Sequence, residues 1–222
     1  MATKNIMDIK STLGAVIDEY APSILNMADA IFDHPEVGLE EFQAQKMLCD
    51  FLRKEGFKVE ENIYGFQTAF RAEYQCGKGG VHIGLLCEYD ALKGIGHACA
   101  HHMQGPSILA TACALKNVLA DQNFQIIIYG TPAEETIGAK VAMSANGAFQ
   151  DIDIALMMHG SPVTTTDIKS MALSNFELIF HGTNAHAALA PEKGRSALDG
   201  LLLFFQGIEF LREHVKEDTR MH

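Results

Sequence analysis

Apolar residues recur at helical spacing over residues 6–32, at Ile9, Leu13, Val16, Ile17, Tyr20, Ile24, Met27 and Ile31. Pro22 lacks the amide hydrogen that an interior turn needs, so it is expected to interrupt this helix or open a second one. His34-Pro35-Glu36-Val37-Gly38 reads as a turn. Residues 40–55 predict an amphipathic helix with Phe42, Met47, Leu48, Phe51 and Leu52 as its stripe and Gly56 placed to end it. The period then changes. Residues 68–74 predict a strand, and Cys76-Gly77-Lys78-Gly79-Gly80 a tight turn. Residues 81–87 and 124–130 are short, nearly continuous apolar runs, as expected of strands buried on both faces. Helices are predicted over 103–120 and 140–148, and a further strand over 152–158.

Strands thus alternate with helices over the first 160 residues. That predicts an α/β fold with a largely parallel or mixed sheet flanked by helices. In such sheets the site lies at the carboxyl ends of the strands. The polar clusters fall there: Glu88-Tyr89-Asp90 after the first buried run, Pro132-Ala133-Glu134-Glu135 after the second, and His159-Gly160 after the run at 152–158. Past Gly160 the texture alters. Residues 161–167 are polar and threonine-rich, residues 171–180 predict a strand, Gly182-Thr183-Asn184-Ala185-His186 a turn, and 195–215 a strongly apolar helix. A strand and a helix are too few to close a core by themselves. The expected division is a metal-binding domain over 1–168 and the beginning of a second, α+β domain over 169–222.

Composition narrows the function. Hydrophobic residues make up 48% and charged residues 20%, ordinary for a globular chain. With 17 basic against 28 acidic residues the formal net charge is −11, which argues against a basic patch for nucleic acid or an anionic membrane. The five cysteines are odd in number and scattered, several of them in apolar runs, so they read as reduced thiols and not as a disulfide framework. The amino terminus has no unbroken apolar segment of the signal-peptide kind, and no stretch is long enough to span a bilayer. A cytoplasmic location is the expectation.

The candidate chemistry centres on Gly96-His97-Ala98-Cys99-Ala100-His101-His102, which holds three histidines and one cysteine in seven residues. Cys99 and His101 can ligate a divalent ion as thiolate and neutral imidazole, although a Cys-x-His pair alone is equally compatible with plain packing. Of His97 and His102, one reads as a ligand or a supporting donor and the other as a packed or solvated residue. Glu134 and Glu135 point in different directions, so one can bind metal while the other faces substrate as general base; in isolation such a pair is usually solvated surface. His159 is either a ligand or a satisfied core histidine. Asp90 can bridge metals or orient a histidine ligand, and Glu88 is a weaker candidate. His186, far along the chain, reads on its own as a turn histidine.

Taken in order, these segments resemble the dinuclear zinc peptidases and amidohydrolases, a family that includes aminoacylases, glutamate carboxypeptidases and indole-acetyl-amino-acid hydrolases; the aminobenzoyl-glutamate hydrolase-like branch is the most similar. The resemblance runs through nearly the whole chain: His34-Pro35-Glu36-Val37-Gly38-Leu39-Glu40-Glu41-Phe42, Glu88-Tyr89-Asp90-Ala91-Leu92, Gly96 to His101, Thr131-Pro132-Ala133-Glu134-Glu135, Met158-His159-Gly160, and Phe180-His181-Gly182-Thr183-Asn184-Ala185-His186-Ala187-Ala188 with Pro191, Gly194, Arg195 and Ala197. It implies that Cys99, His101, Glu135 and His159 ligate two divalent ions, with zinc the expectation and manganese the alternative to it. Glu134 would be the general base, Asp90 would support the site, and His186 would polarise the substrate carbonyl or stabilise the oxyanion across a dimer. The implied reaction is amide hydrolysis of a small N-acyl amino acid or dipeptide. The implied second domain is a lid through which two copies pair.

The chain departs from the family at four motif positions. Ala100 stands where glycine is usual, His102 where Asp or Asn is usual, Lys93 where proline is common and Ser196 where Asn is common. If φ is positive at Ala100, its methyl crowds a tight turn. The family's chain also runs on beyond the lid to a last histidine ligand. The expectation is therefore the amino-terminal portion of such an enzyme, with a catalytically inactive homologue that keeps metal binding or pairing as the alternative.

Overall fold

The computed structural model describes residues 6–166, 168 and 171–222. They divide into two compact units, one ending at Thr164 and the other running from Thr165 to His222.

The first unit is built on a five-stranded sheet of order β1-β2-β4-β3-β5. Its strands are β1 (Lys58–Ile63), β2 (Phe66–Cys76), β3 (Val81–Cys87), β4 (Phe124–Gly130) and β5 (Ile154–Leu156). β3 is parallel to β4 and to β5, whereas β2 is antiparallel to both β1 and β4. The sheet is therefore mixed, within the expected class. Four helices flank it: α1 (Ile6–Asp33), α2 (Phe42–Lys54), α3 (His101–Val118) and α4 (Lys140–Ala145).

Side-chain alternation decides which face each residue serves. Ile126 and Ile128 of β4 turn toward Leu48 and Leu52 of α2 and Leu109 of α3, while Ile127 and Tyr129 turn to the other face with Met143 of α4. Each fully buried Leu or Ile contributes about 1.5–3 kcal/mol. The contiguous apolar runs of β3 and β4 follow from burial on both faces, and both strands have the predicted limits.

Elsewhere the structure corrects the sequence reading. Pro22 neither breaks α1 nor starts a new helix; α1 is one 28-residue helix with Pro22 inside it. The carbonyl that Pro22 leaves without a donor belongs to Asp18, which is exposed and open to water, so the interruption costs little. β1 was not anticipated. It joins β2 through a two-residue loop, Tyr64-Gly65, both at positive φ (54° and 86°), the geometry of a hairpin turn. Tyrosine is an unusual first residue there, and its carbonyl accepts a 2.8 Å hydrogen bond from Asn146 Nδ2. The run at 152–158 pairs only over Ile154–Leu156, because β5 is an edge strand that leaves the ladder before His159.

In the second unit no ladder forms over residues 171–180, so the strand expected there is absent; the segment is exposed and pairs with no strand among the described residues. Thr183 and Arg195 exchange backbone hydrogen bonds of 2.8 and 2.9 Å. α5 (Ala197–Leu211) follows, capped by Ser196 Oγ, which accepts from the Asp199 amide at 3.1 Å. Among the described residues no helix is long and apolar enough to cross a membrane.

Candidate metal centre

Because β4, β3 and β5 run parallel and adjacent, their carboxyl ends lie on one sheet edge. Each strand delivers a metal-competent group there: Glu88 and Asp90 after β3, Glu134 and Glu135 after β4, and His159 after β5. α3 opens at the same edge and supplies His101 from its first residue, and the turn leading into it supplies Cys99. The turn into α3 depends on Ala100, whose φ of 67° puts a methyl-bearing residue in the left-handed region. A similar bend precedes the glutamates, where Ala133 sits at φ 53°. Strain of this kind persists only where its surroundings hold it in place.

His101 is fully buried. Its Nδ1 lies 3.0 Å from both the carbonyl oxygen and Oδ1 of Asp90. Both neighbours are acceptors, so Nδ1 carries the proton and donates, which leaves the Nε2 lone pair of the neutral ring available. Nε2 has no hydrogen-bond partner. It faces Glu88 Oε2 at 3.3 Å and Glu134 Oε2 and Glu135 Oε1 at 4.0 Å each. His159 is oriented in the same way, with Nδ1 2.8 Å from the Gly160 carbonyl and Nε2 turned to Cys99 Sγ at 3.6 Å. The ligand atoms of Cys99, His101 and His159 lie within 4.8 Å of one another, as do those of Glu88, His101 and Glu134.

Asp90 ties the edge together. While Oδ1 holds His101, Oδ2 accepts the Glu135 amide at 2.9 Å. Both oxygens are thus engaged in hydrogen bonds. Burial raises the pKa of Glu134, and the Glu88 carboxylate adds to the shift. At Cys99, burial and then the Glu135 and Glu134 carboxylates push the thiol up to about 12. At His101, burial favours the neutral ring, but Asp90, Glu88 and Glu135 together outweigh it and the net direction is upward. A half-buried thiol, two imidazoles and several converging carboxylates, with a buried imidazole nitrogen and Glu135 Oε1 both lacking partners, fit a divalent cation.

Not every candidate joins this cluster. His97 and His102 pack against each other, ring centroids 5.3 Å apart, and His102 lies 4.9 Å from Phe32. Burial pushes His97 down to about 4, so it is neutral. Neither belongs to the ligand sets. His186 lies in the second unit, where its Nδ1 accepts from the Ala188 and Leu189 amides at 3.2 Å each. Glu88, ranked low from sequence, is almost completely buried and closer to His101 Nε2 than either residue of the Glu134-Glu135 pair. Its position directly after a doubly buried strand was the available signal.

The chain is similar to known proteins in sequence and in fold. No protein-family model matches the chain. Over 218 residues it is 36% identical to a polypeptide of the p-aminobenzoyl-glutamate hydrolase of Escherichia coli (strain K12), a match covering 89% of this chain and 45% of that protein. It is 32% identical over 223 residues to the Xaa-Arg dipeptidase of Homo sapiens, covering 93% and 51% respectively. A dinuclear metal binding peptidase of the M20 family from Bacillus subtilis shares the fold, with a TM-score of 0.60 at 22% identity over 65% of this chain and 44% of that one. The chain spans about half the length of the curated relatives it matches.

Proposed function

We propose that the chain belongs to the M20 family of dinuclear metal peptidases and amidohydrolases, a reading supported by its likeness to the p-aminobenzoyl-glutamate hydrolase polypeptide, the Xaa-Arg dipeptidase and the M20 peptidase fold, and that it takes part in hydrolysis of the amide bond of a small N-acyl amino acid or dipeptide. The observation that carries this reading is the buried His101 Nε2, without a hydrogen-bond partner, facing a thiol, a second imidazole and carboxylates.

In this reading Cys99, His101, Glu135 and His159 hold two divalent ions. The soft sulfur of Cys99 favours zinc, and manganese is the alternative. Such ions supply Lewis acidity and lower the pKa of water. Asp90 positions His101 and Glu135 through the two hydrogen bonds it accepts. Glu134 is the general base, and its raised pKa suits the task. It takes a proton from water as the water oxygen attacks the amide carbonyl carbon. It returns that proton to the departing amine nitrogen as the C–N bond breaks.

His186 has its Nδ1 occupied as an acceptor, so the neutral ring presents Nε2–H as a donor. That tautomer suits an oxyanion-stabilising role on a substrate carbonyl oxygen. Residues 1–168 form the metal-binding catalytic domain in this account, and 169–222 belong to a lid through which two copies pair. Exposed Leu202, Leu203 and Phe205 on α5 support such pairing. The five free cysteines, four of them buried, support a reducing, cytoplasmic setting.

The test is turnover of N-acyl amino acids, acyl-glutamates and dipeptides by zinc- or manganese-loaded protein. Glu134→Gln is expected to lower kcat by about 10²–10⁴-fold with metal retained. Folded, metal-loaded protein with no turnover on any of these substrates would favour a metal-binding homologue without activity.

A further inference from the structure

Glu88 has no part in the reaction just described, yet it occupies the centre of the site. Its side chain is 1% exposed. Oε1 pairs with Lys140 Nζ, at the first residue of α4. Oε2 turns the other way, to 3.3 Å from His101 Nε2 and 4.0 Å from His159 Nε2. Gln104 holds the segment from below: its Oε1 accepts the Glu88 amide at 2.6 Å, and its Nε2 reaches Oε2 only at 3.5 Å.

A carboxylate kept only to anchor α4 needs one oxygen on Lys140. It has no reason to aim the second at two imidazole nitrogens whose other ring nitrogens face acceptors. His101 Nε2 and Glu88 Oε2 are both electron-rich, and they approach without a hydrogen bond between them. A cation shared by the two resolves this convergence.

We propose that Glu88 is a further metal ligand, binding through Oε2 to the ion held by His101, and that Lys140 occupies Oε1 so that the carboxylate binds through one oxygen. The inference rests on the metal-centre reading above. It assigns Lys140 the role of compensating the buried charge when no ion is present. It also adds a hard oxygen donor to a site otherwise led by a thiolate and imidazoles, which broadens the range of ions accepted toward manganese.

The test is metal affinity, measured by competition with a chromophoric chelator, together with thermal unfolding with and without zinc. Wild type, Glu88→Gln, Lys140→Met and His101→Ala are compared. Glu88→Gln is close to isosteric and is expected to lower zinc affinity by about 10–100-fold. Its manganese affinity should fall further, and its zinc-induced rise in Tm should shrink.

Lys140→Met is expected to do the opposite. It lowers the metal-free Tm by leaving a buried carboxylate uncompensated, enlarges the zinc-induced rise, and keeps or tightens affinity. Wild-type affinity in Glu88→Gln, with His101→Ala impaired, would overturn the role of Glu88 and leave the metal centre standing. Equal weakening in Glu88→Gln and Lys140→Met would also overturn it, because it would mark the pair as an anchor for α4. Absence of zinc binding by the wild type would remove the metal centre and this inference together.

Discussion

The Ala133 backbone N–H donates to Glu41 Oε1 at 2.7 Å, across 92 residues of sequence. Ala133 is the left-handed residue that turns the chain toward Glu134 and Glu135. The other oxygen of Glu41 accepts from Thr68 Oγ1 at 2.8 Å. Glu41 is fully buried, and burial raises its pKa. The neighbouring Glu36 caps α2 through the Gln43 and Ala44 amides and, through its carbonyl, accepts the Ala91 amide at 2.8 Å. The segment around His34 to Phe42 therefore acts as a bracket under two of the strand ends.

Glu41→Ala would strip partners from a buried amide and a buried hydroxyl, each worth about 1–3 kcal/mol when left unsatisfied. Urea unfolding should show a loss in that range or above it, with metal affinity falling as well, because the turn before Glu134 loses its support. Glu41→Gln keeps one acceptor oxygen and should lose less.

Ala100 carries a testable strain. Its φ is 67°, and a methyl built on Gly160 would come within 2.7 Å of the Ala100 Cβ. Relief of the left-handed conformation exceeds the entropy that glycine adds to the unfolded chain, so Ala100→Gly should stabilise by about 0.5–1 kcal/mol. Gly160→Ala should destabilise by a larger amount. The two should be non-additive in a double-mutant cycle, with Ala100→Gly recovering much of the Gly160→Ala loss.

Arg71 spans the face of the sheet opposite α2 and α3. It pairs with Asp151, and the Tyr129 hydroxyl donates to Asp151 Oδ1 at 2.9 Å. Arg71 holds the Asp151 carboxyl below the usual carboxylate range. A group with a depressed folded pKa stabilises above its unfolded value of about 3.9, and that contribution is lost as pH falls through the lower folded value. Asp151 is half exposed (51%), so solvent screening keeps the contribution below about 1 kcal/mol. Asp151→Asn should cost that amount near neutrality. The gap between wild type and variant, followed by denaturant titration at stepwise lower pH, should close as the solution falls below the ordinary carboxylate range.

The sheet's centre was legible because burial on both faces writes an uninterrupted apolar run, as in β3 and β4. β1 was not: Lys58, Glu60 and Glu61 make it polar, and only the pairing with β2 and the Tyr64-Gly65 turn define it. Residues 171–180 show the reverse case, strand-like composition with no ladder to join. At the site, residue types and strand ends pointed to Cys99, His101, Glu134, Glu135 and His159, all of which meet at one edge. Side-chain direction after β3 was not written in Glu88-Tyr89-Asp90, so the placement of Glu88 beside His101 emerged only in three dimensions. For the same reason, adjacency in sequence did not carry His97 or His102 into the cluster.

Metal ligation by Cys99, His101, Glu135 and His159 is tested most directly by X-ray absorption at the zinc edge. Zinc-loaded protein should show a sulfur shell at about 2.3 Å, of low occupancy because one thiolate serves two ions, together with nitrogen and oxygen at about 2.0–2.1 Å, and Cys99→Ser should abolish the sulfur shell. A zinc environment without sulfur, or one unchanged by Cys99→Ser, would contradict the account.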